Sequence, residues 1–235
     1  MPYADIKSIE AEWRARMHKA LNSDGKDDYI ELNEFGLGQY DEFTVMFWVK
    51  RFREDAEDNF LTNDGIGDNL FIIRLGNHTD WQVGKLHVYW GGEPSFSSSS
   101  KIYKDKWYFI AVTGNLTNNF FRIFIDGQLD SEGIYSQVNK WTATKLFIAR
   151  WGGRYANILT THVSLYNRAL SDAEIKYLYH NPFDPLDEEH LVLWLNPAGI
   201  DAAAGKWWDL SGKGNHGTIY GATEVQLTLP EVEVM

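Results

Sequence analysis

The 235-residue chain contains no cysteine, so neither a disulfide framework nor a thiolate metal site is open to it. It is short of positive charge, with 22 Lys and Arg against 33 Asp and Glu and a formal net charge of -11. Phosphate-rich partners need clustered basic residues, so neither nucleic acid nor an anionic membrane surface is expected as a partner. No apolar run is long enough to span a bilayer, and Met1 to Lys7 show no apolar signal core. As written, the chain starts in the cytoplasm. Work outside a cell would require lysis, a dedicated secretion route or a leader absent from this sequence.

Catalytic signatures are also missing. Glycoside hydrolysis needs two carboxylates flanking the scissile bond, usually presented by alternation along one strand, and no Glu-x-Asp-x-x-Glu pattern occurs. Glu54, Asp55, Glu57 and Asp58 cluster in a charged, turn-rich stretch with no apolar frame to raise a pKa. No Ser-His-Asp arrangement and no metal-hydrolase histidine pair is found. The glycine-rich run Asp209 to Gly217 lacks the Gly-Lys-Ser/Thr ending of a phosphate loop. Its glycines read as a tight turn whose backbone Asp209 and Asn215 bond. The chain is expected not to be an enzyme.

Aromatics are plentiful at 15% of residues, which suits strands and flat binding surfaces. Ile9, Trp13, Met17 and Leu21 recur at helical spacing and predict a short amphipathic N-terminal helix over residues 8 to 20. Strand patterns follow at Tyr29–Leu32, Phe43–Lys50, Asn69–Arg74, Lys85–Trp90, Trp107–Thr113, Phe121–Ile125, Lys145–Ala149 and Val163–Tyr166. Phe43–Lys50 is apolar on both faces and predicts a central strand covered on both sides. Asp126-Gly127 signals a hairpin, and Ser95 to Ser100 reads as a flexible serine loop. Ser171-Asp172-Ala173-Glu174 is a capping box opening a helix through about Tyr179. Strands separated by turns, without helical crossovers, predict a sandwich or barrel.

Several segments resemble the laminin-G-like, concanavalin A-like lectin-glucanase family. Asp24-Gly25-Lys26-Asp27-Asp28-Tyr29 is similar to its entry strand, and Phe43–Lys50 to its first long strand. Lys106–Thr113 and Arg122–Gly127 resemble its central strand and hairpin, and Val163–Ile175 its last strand running into a capped helix. The resemblance implies an all-β, two-sheet antiparallel jelly roll over residues 20–183, preceded by a helical arm at 1–19. Leu191–Leu195 and Trp207–Ala222 resemble the opening of such a domain, although they come last. Residues 184–235 are therefore expected to complete the same jelly roll or a neighbouring one, with Trp194, Trp207, Trp208 and Ile219 as the burying side chains.

That displaced segment leads to the first functional expectation, a non-enzymatic structural protein that associates with copies of itself or with other particle proteins, as a virion surface component would. The alternative is a lectin-like module. Trp81, Trp90, Trp151 and Tyr155 lie near strand ends or loops and are the candidate sugar-stacking residues, Trp151-Gly152-Gly153-Arg154-Tyr155 being the most exposed cluster. A glycoside hydrolase is the remote third reading. Asp24, Asp27 and Asp28 offer three carboxylates in five residues, a candidate structural calcium set. Against it, Thr161-His162 stand where the resemblance would place an acidic residue before the last strand.

Overall fold

The computed structural model describes residues 18–35, 37–54, 57–63, 70–75, 84–91, 96–135 and 144–227. Residues 8 to 17 of the expected N-terminal helix, with Trp81, lie outside the described residues. Lys19 and Ala20 already belong to the first strand.

In chain order the strands are β1 (Lys19–Asp24), β2 (Tyr29–Phe35), β3 (Glu42–Arg51), β4 (Asp58–Asn63), β5 (Phe71–Leu75), β6 (Lys85–Trp90), β7 (Phe96–Lys101), β8 (Trp107–Asn115), β9 (Phe120–Ile125) and β10 (Gln128–Ile134). Then come β11 (Thr144–Ile148), β12 (Arg150–Trp151), β13 (Arg154–Tyr155), β14 (Asn157–Tyr166), the helix α1 (Asp172–His180), β15 (Leu191–Leu195), β16 (Ile200–Asp201), β17 (Lys206–Trp207), β18 (Gly217–Tyr220) and β19 (Thr223–Gln226). One sheet has the order β10-β9-β8-β3-β14-β1-β19, with β15 also on β14; the other runs β16-β17-β18-β2-β11-β4-β5-β6-β7. All these pairings are antiparallel, and the two sheets face each other across one core, a jelly-roll sandwich.

β3 shows why both faces of that strand are apolar. Phe43, Val45, Phe47 and Val49 point into the core between the sheets. Met46 and Trp48 point the other way, into a second cluster covered by α1. There Trp48 stacks on Tyr179, with centroids 5.5 Å apart and planes 16° from parallel. The helix starts where its sequence says: Ser171 Oγ accepts from the Glu174 amide, and Glu174 accepts from the Ser171 amide at 2.8 Å. At the β9–β10 hairpin, Asp126 and Gly127 take φ of 50° and 72°, both in the left-handed region that a two-residue hairpin loop of this hand requires.

The C-terminal segment pairs within its own chain. β15 lies on β14 with Val163 opposite Leu195, β18 on β2 with Ile219 opposite Ile30, and β19 on β1 with Ala20 opposite Val225. Trp207 is fully buried in the core, and its Nε1 donates to the Asn196 carbonyl at 2.8 Å. Trp194 packs half-buried on the outer cluster and Ile219 on the inner one. Trp208 differs: it is 40% exposed and meets His216 edge-on. Asp209 organises the glycine-rich turn, accepting from the amides of Trp194, Ser211 and Asn215.

Two readings of the sequence are corrected. The serine run is not a loop but β7, an edge strand. Ser98 Oγ accepts from the Leu86 amide, and the amides of Ser99 and Ser100 donate to Asp130 on β10, tying together the edges of the two sheets. Asp58 is not a loop carboxylate. It begins β4 with no exposure and forms salt bridges with Arg51 and Arg53.

Candidate functional site

Alternation along the second sheet decides which side chains face away from the core. Ile30 and Leu32 of β2, Leu146 and Ile148 of β11, Phe71, Ile73 and Leu75 of β5, and Leu86, Val88 and Trp90 of β6 point inward. The intervening residues therefore line the outer face: Tyr29, Phe147, Arg74, His87 and Tyr89. This corrects the placement of Trp90 among the sugar-stacking candidates. It is fully buried, stacked on Phe43 at 4.9 Å, because it shares the inward phase of Val88.

A small hairpin, β12 and β13 joined by Gly152-Gly153, folds over this outer face. Thr62 Oγ1 of β4 donates to the Arg150 carbonyl, the Ala149 amide donates to Phe60 O at 3.1 Å, and Arg53 Nη2 donates to Tyr155 O at 2.8 Å. Arg53 is itself held by Asp58. The hairpin is thus anchored through Arg53 to the buried Arg51–Asp58 pair, while its glycine tip stands in open space.

The hairpin divides the face into two aromatic patches. On one side Tyr29 stacks on Tyr220 with centroids 4.6 Å apart and lies 6.2 Å from Tyr155. Arg150 sits over Tyr29 at 4.8 Å and over Phe147 at 4.3 Å. On the other side Trp151 lies near two guanidinium groups, Arg154 at 5.3 Å and Arg74 at 6.0 Å from its ring centroid. Arg74 also covers Tyr89 at 4.5 Å and donates to its hydroxyl at 2.7 Å. Both Arg74 and Arg154 bond Glu57, each with a contact of 3.1 Å. Asn59 sits opposite Arg74 in the β4–β5 register, wholly buried. Among the described residues its amide oxygen and nitrogen have no partner, nor does Arg74 Nε.

Trp151 and Tyr155 are therefore brought together on one hairpin. Tyr29, Tyr89, Tyr220, Arg74 and Asn59 join them without having been singled out. The signal for Tyr29, Arg74 and Tyr89 was present as residues out of phase with the apolar ones on β2, β5 and β6. The hairpin marks the outer face, and Trp151-Gly152-Gly153-Arg154-Tyr155 shows no contact with β4 in its own letters.

Asp24, Asp27 and Asp28 meet at a turn, with one oxygen from each within 4.8 Å of the others. The donor type fits a hard cation, which takes on the order of six to eight oxygens. Two of the three carboxylates are already engaged: Asp24 accepts from the Lys26 amide and pairs with its ammonium at 3.0 Å, and Asp28 accepts from the Asp24 amide. The Lys26 amide and ammonium hold the Asp24 carboxyl below its ordinary value, whereas burial pushes Asp28 up.

The two facing antiparallel sheets define a concanavalin A-like jelly roll. A model of the concanavalin A-like lectin/glucanases superfamily matches residues 24–176, and the chain belongs to that superfamily. A candidate carbohydrate-binding protein from Bacteroides ovatus is similar over 90% of this chain at 18% identity, with a TM-score of 0.69. This chain spans 60% of that protein's length. A heptameric SAP-like pentraxin from Limulus polyphemus is similar over 70% of this chain and 82% of its own, at 13% identity and a TM-score of 0.56. Botulinum neurotoxin type C, whose cell entry depends upon interaction with two ganglioside molecules, is similar over 71% of this chain and 46% of its own, at 13% identity and a TM-score of 0.50. At such identities these likenesses carry the fold.

Proposed function

We propose that the protein is a non-enzymatic carbohydrate-binding module that takes a glycan across the β12–β13 hairpin. The observation that carries this reading is Trp151, beside Arg74 and Arg154 on a hairpin anchored to the sheet below, with Tyr89 on one side and the Tyr29–Tyr220 stack on the other. Sugar rings present C–H faces to aromatic rings and hydroxyls to polar groups, and this face supplies both. Membership of a lectin-containing superfamily and the likeness to the Bacteroides ovatus protein support it.

The other readings have less to stand on. A self-assembling particle component followed from a tail in want of a sheet, and the tail has one in its own chain. Of the clustered acids, Asp55 lies outside the described residues, while Glu57 is bound by Arg74 and Arg154 and Asp58 by Arg51 and Arg53. Calcium at the Asp24–Asp28 turn would support the Tyr29 end of the face. A thermal midpoint that rises with calcium chloride and no longer does so in Asp27→Ala carries the ion, and an unchanged midpoint removes it.

The direct test of glycan binding is an array of immobilised glycans probed with the wild type and Trp151→Ala. The wild type is expected to bind at least one class of glycan, and the variant to bind it about tenfold or more weakly, the scale of one lost aromatic contact. Retention of full affinity by the variant would move the site elsewhere.

A further inference from the structure

Glu57 is shared by two guanidinium groups, and the two are not equally committed. Arg74 is 17% exposed, with one terminal nitrogen on Glu57 and the other on the Tyr89 hydroxyl. Arg154 uses only Nη1 for Glu57, and its side chain is 60% exposed. Among the described residues the Nε and Nη2 of Arg154 have no partner. Two cations on one carboxylate leave an excess positive charge on a chain whose net charge is -11. The exposed fork stands beside the Trp151 ring, 5.3 Å from its centroid.

Resting on the carbohydrate reading, we propose that the ligand is a glycan carrying an isolated carboxylate, an acidic sugar in an otherwise neutral chain. Its ring lies on Trp151 and its carboxylate is taken by the free edge of Arg154. A guanidinium offers two parallel N–H donors to a carboxylate, which is more specific than a point charge. The isolation of the charge follows from the surroundings. One excess cation suits one anion, while a polyanion would meet the repulsion of a strongly acidic molecule.

The experiment pairs each acidic probe with its neutral counterpart: 3′-sialyllactose with lactose, and an aldouronic acid from glucuronoxylan with the matching xylo-oligosaccharide. A sulfated heparin fragment serves as the polyanion arm. Calorimetric titrations in EDTA are run with the wild type, Arg154→Gln, Arg154→Lys and Trp151→Ala, each checked for an unchanged thermal midpoint. At least one acidic probe is expected to bind about tenfold tighter than its neutral partner, the scale of a charge-assisted paired hydrogen bond. Arg154→Gln should remove that advantage and Arg154→Lys should restore part of it. Trp151→Ala should weaken acidic and neutral probes together. Equal affinity within every pair, an advantage that survives Arg154→Gln, or tighter binding of heparin would overturn the acidic-ligand proposal while leaving the glycan reading intact. Absence of binding to every probe and to the array would overturn both.

Discussion

Asp58 lies 3.3 Å from Arg51 in a salt bridge closed to solvent, the two side chains being 0% and 1% exposed. The other oxygen of Asp58 accepts from Arg53 at 2.7 Å and from the Asn157 amide at 3.1 Å. Such a group has little net worth against an apolar replacement, but losing one member strands the other in a dry interior. Asp58→Ala is expected to cost about 3–5 kcal/mol in urea denaturation, because Arg51 stays buried without its carboxylate. Arg53, one-third exposed, should cost about 1 kcal/mol or less through its ion pair. Equal losses for the two variants would contradict the ranking by burial.

The tail gives a second expectation. Trp207 fills the core and donates to Asn196, so Trp207→Ala leaves a cavity and an unsatisfied carbonyl. A loss of about 3–5 kcal/mol is expected, as for a buried aromatic elsewhere. A chain ended after Leu186 removes β15 from the first sheet and β18 from the second, exposing apolar edges of both. It should elute as aggregate in size-exclusion chromatography. A soluble, cooperatively unfolding truncated chain would show that the sandwich does not need its own tail.

Gly221 is the third. Its φ is +74°, and a Cβ there would stand 2.0 Å from the Asp28 carboxylate oxygen. Gly221→Ala must shift the turn that aligns Tyr220 with Tyr29. On the order of 2 kcal/mol of stability should be lost, and whatever the Tyr29–Tyr220 stack contributes to glycan affinity should fall with it. Gly152→Ala, at φ +58° but with nothing within 4 Å, should cost less in the same assay. The reverse order would mean that conformation alone, not the clash, governs these turns.

Comparison of these elements shows what the letters could carry. β3, the Asp126-Gly127 hairpin and the Ser171–Glu174 cap are written in local pattern, because each depends on neighbours within a few residues. The serine strand β7 escapes such reading. Its polar residues are placed by bonds to Leu86 and to Asp130, the latter about thirty residues away. Asp58 escapes it as well, since its carboxylate is held by Arg51 and Arg53 on one segment and by the Asn157 amide, 99 residues away. The site was half legible. Trp151 and Tyr155 stand out as aromatics beside a double glycine, whereas Arg74 and Asn59 acquire meaning only when β4 and β5 pair beneath the hairpin.

The last expectation concerns acid. His162 sits at the irregularity in β14, with φ of +50°, its ring edge-on to Phe183 at 4.4 Å and Thr161 Oγ1 3.1 Å from Nδ1. Burial lowers its pKa to about 3. The unfolded chain takes up the proton near pH 6.5 and the folded one does not, so folding stability is intact above that pH and falls as the pH drops toward 3. Between pH 7 and pH 5 the loss should reach about 2 kcal/mol for this one group. Glu174, lowered to about 2 mainly by Arg168, and Asp187, lowered mainly by His190, have the same sign. They act only as the pH falls below the ordinary carboxylate range, and comparison with a His162 variant separates this histidine from the other titrating groups. His162→Asn keeps a side chain that tolerates positive φ and removes the proton site. Its urea midpoint should decline less over that interval than the wild type's. Parallel declines in the two proteins would mean that His162 is not held neutral in the folded state.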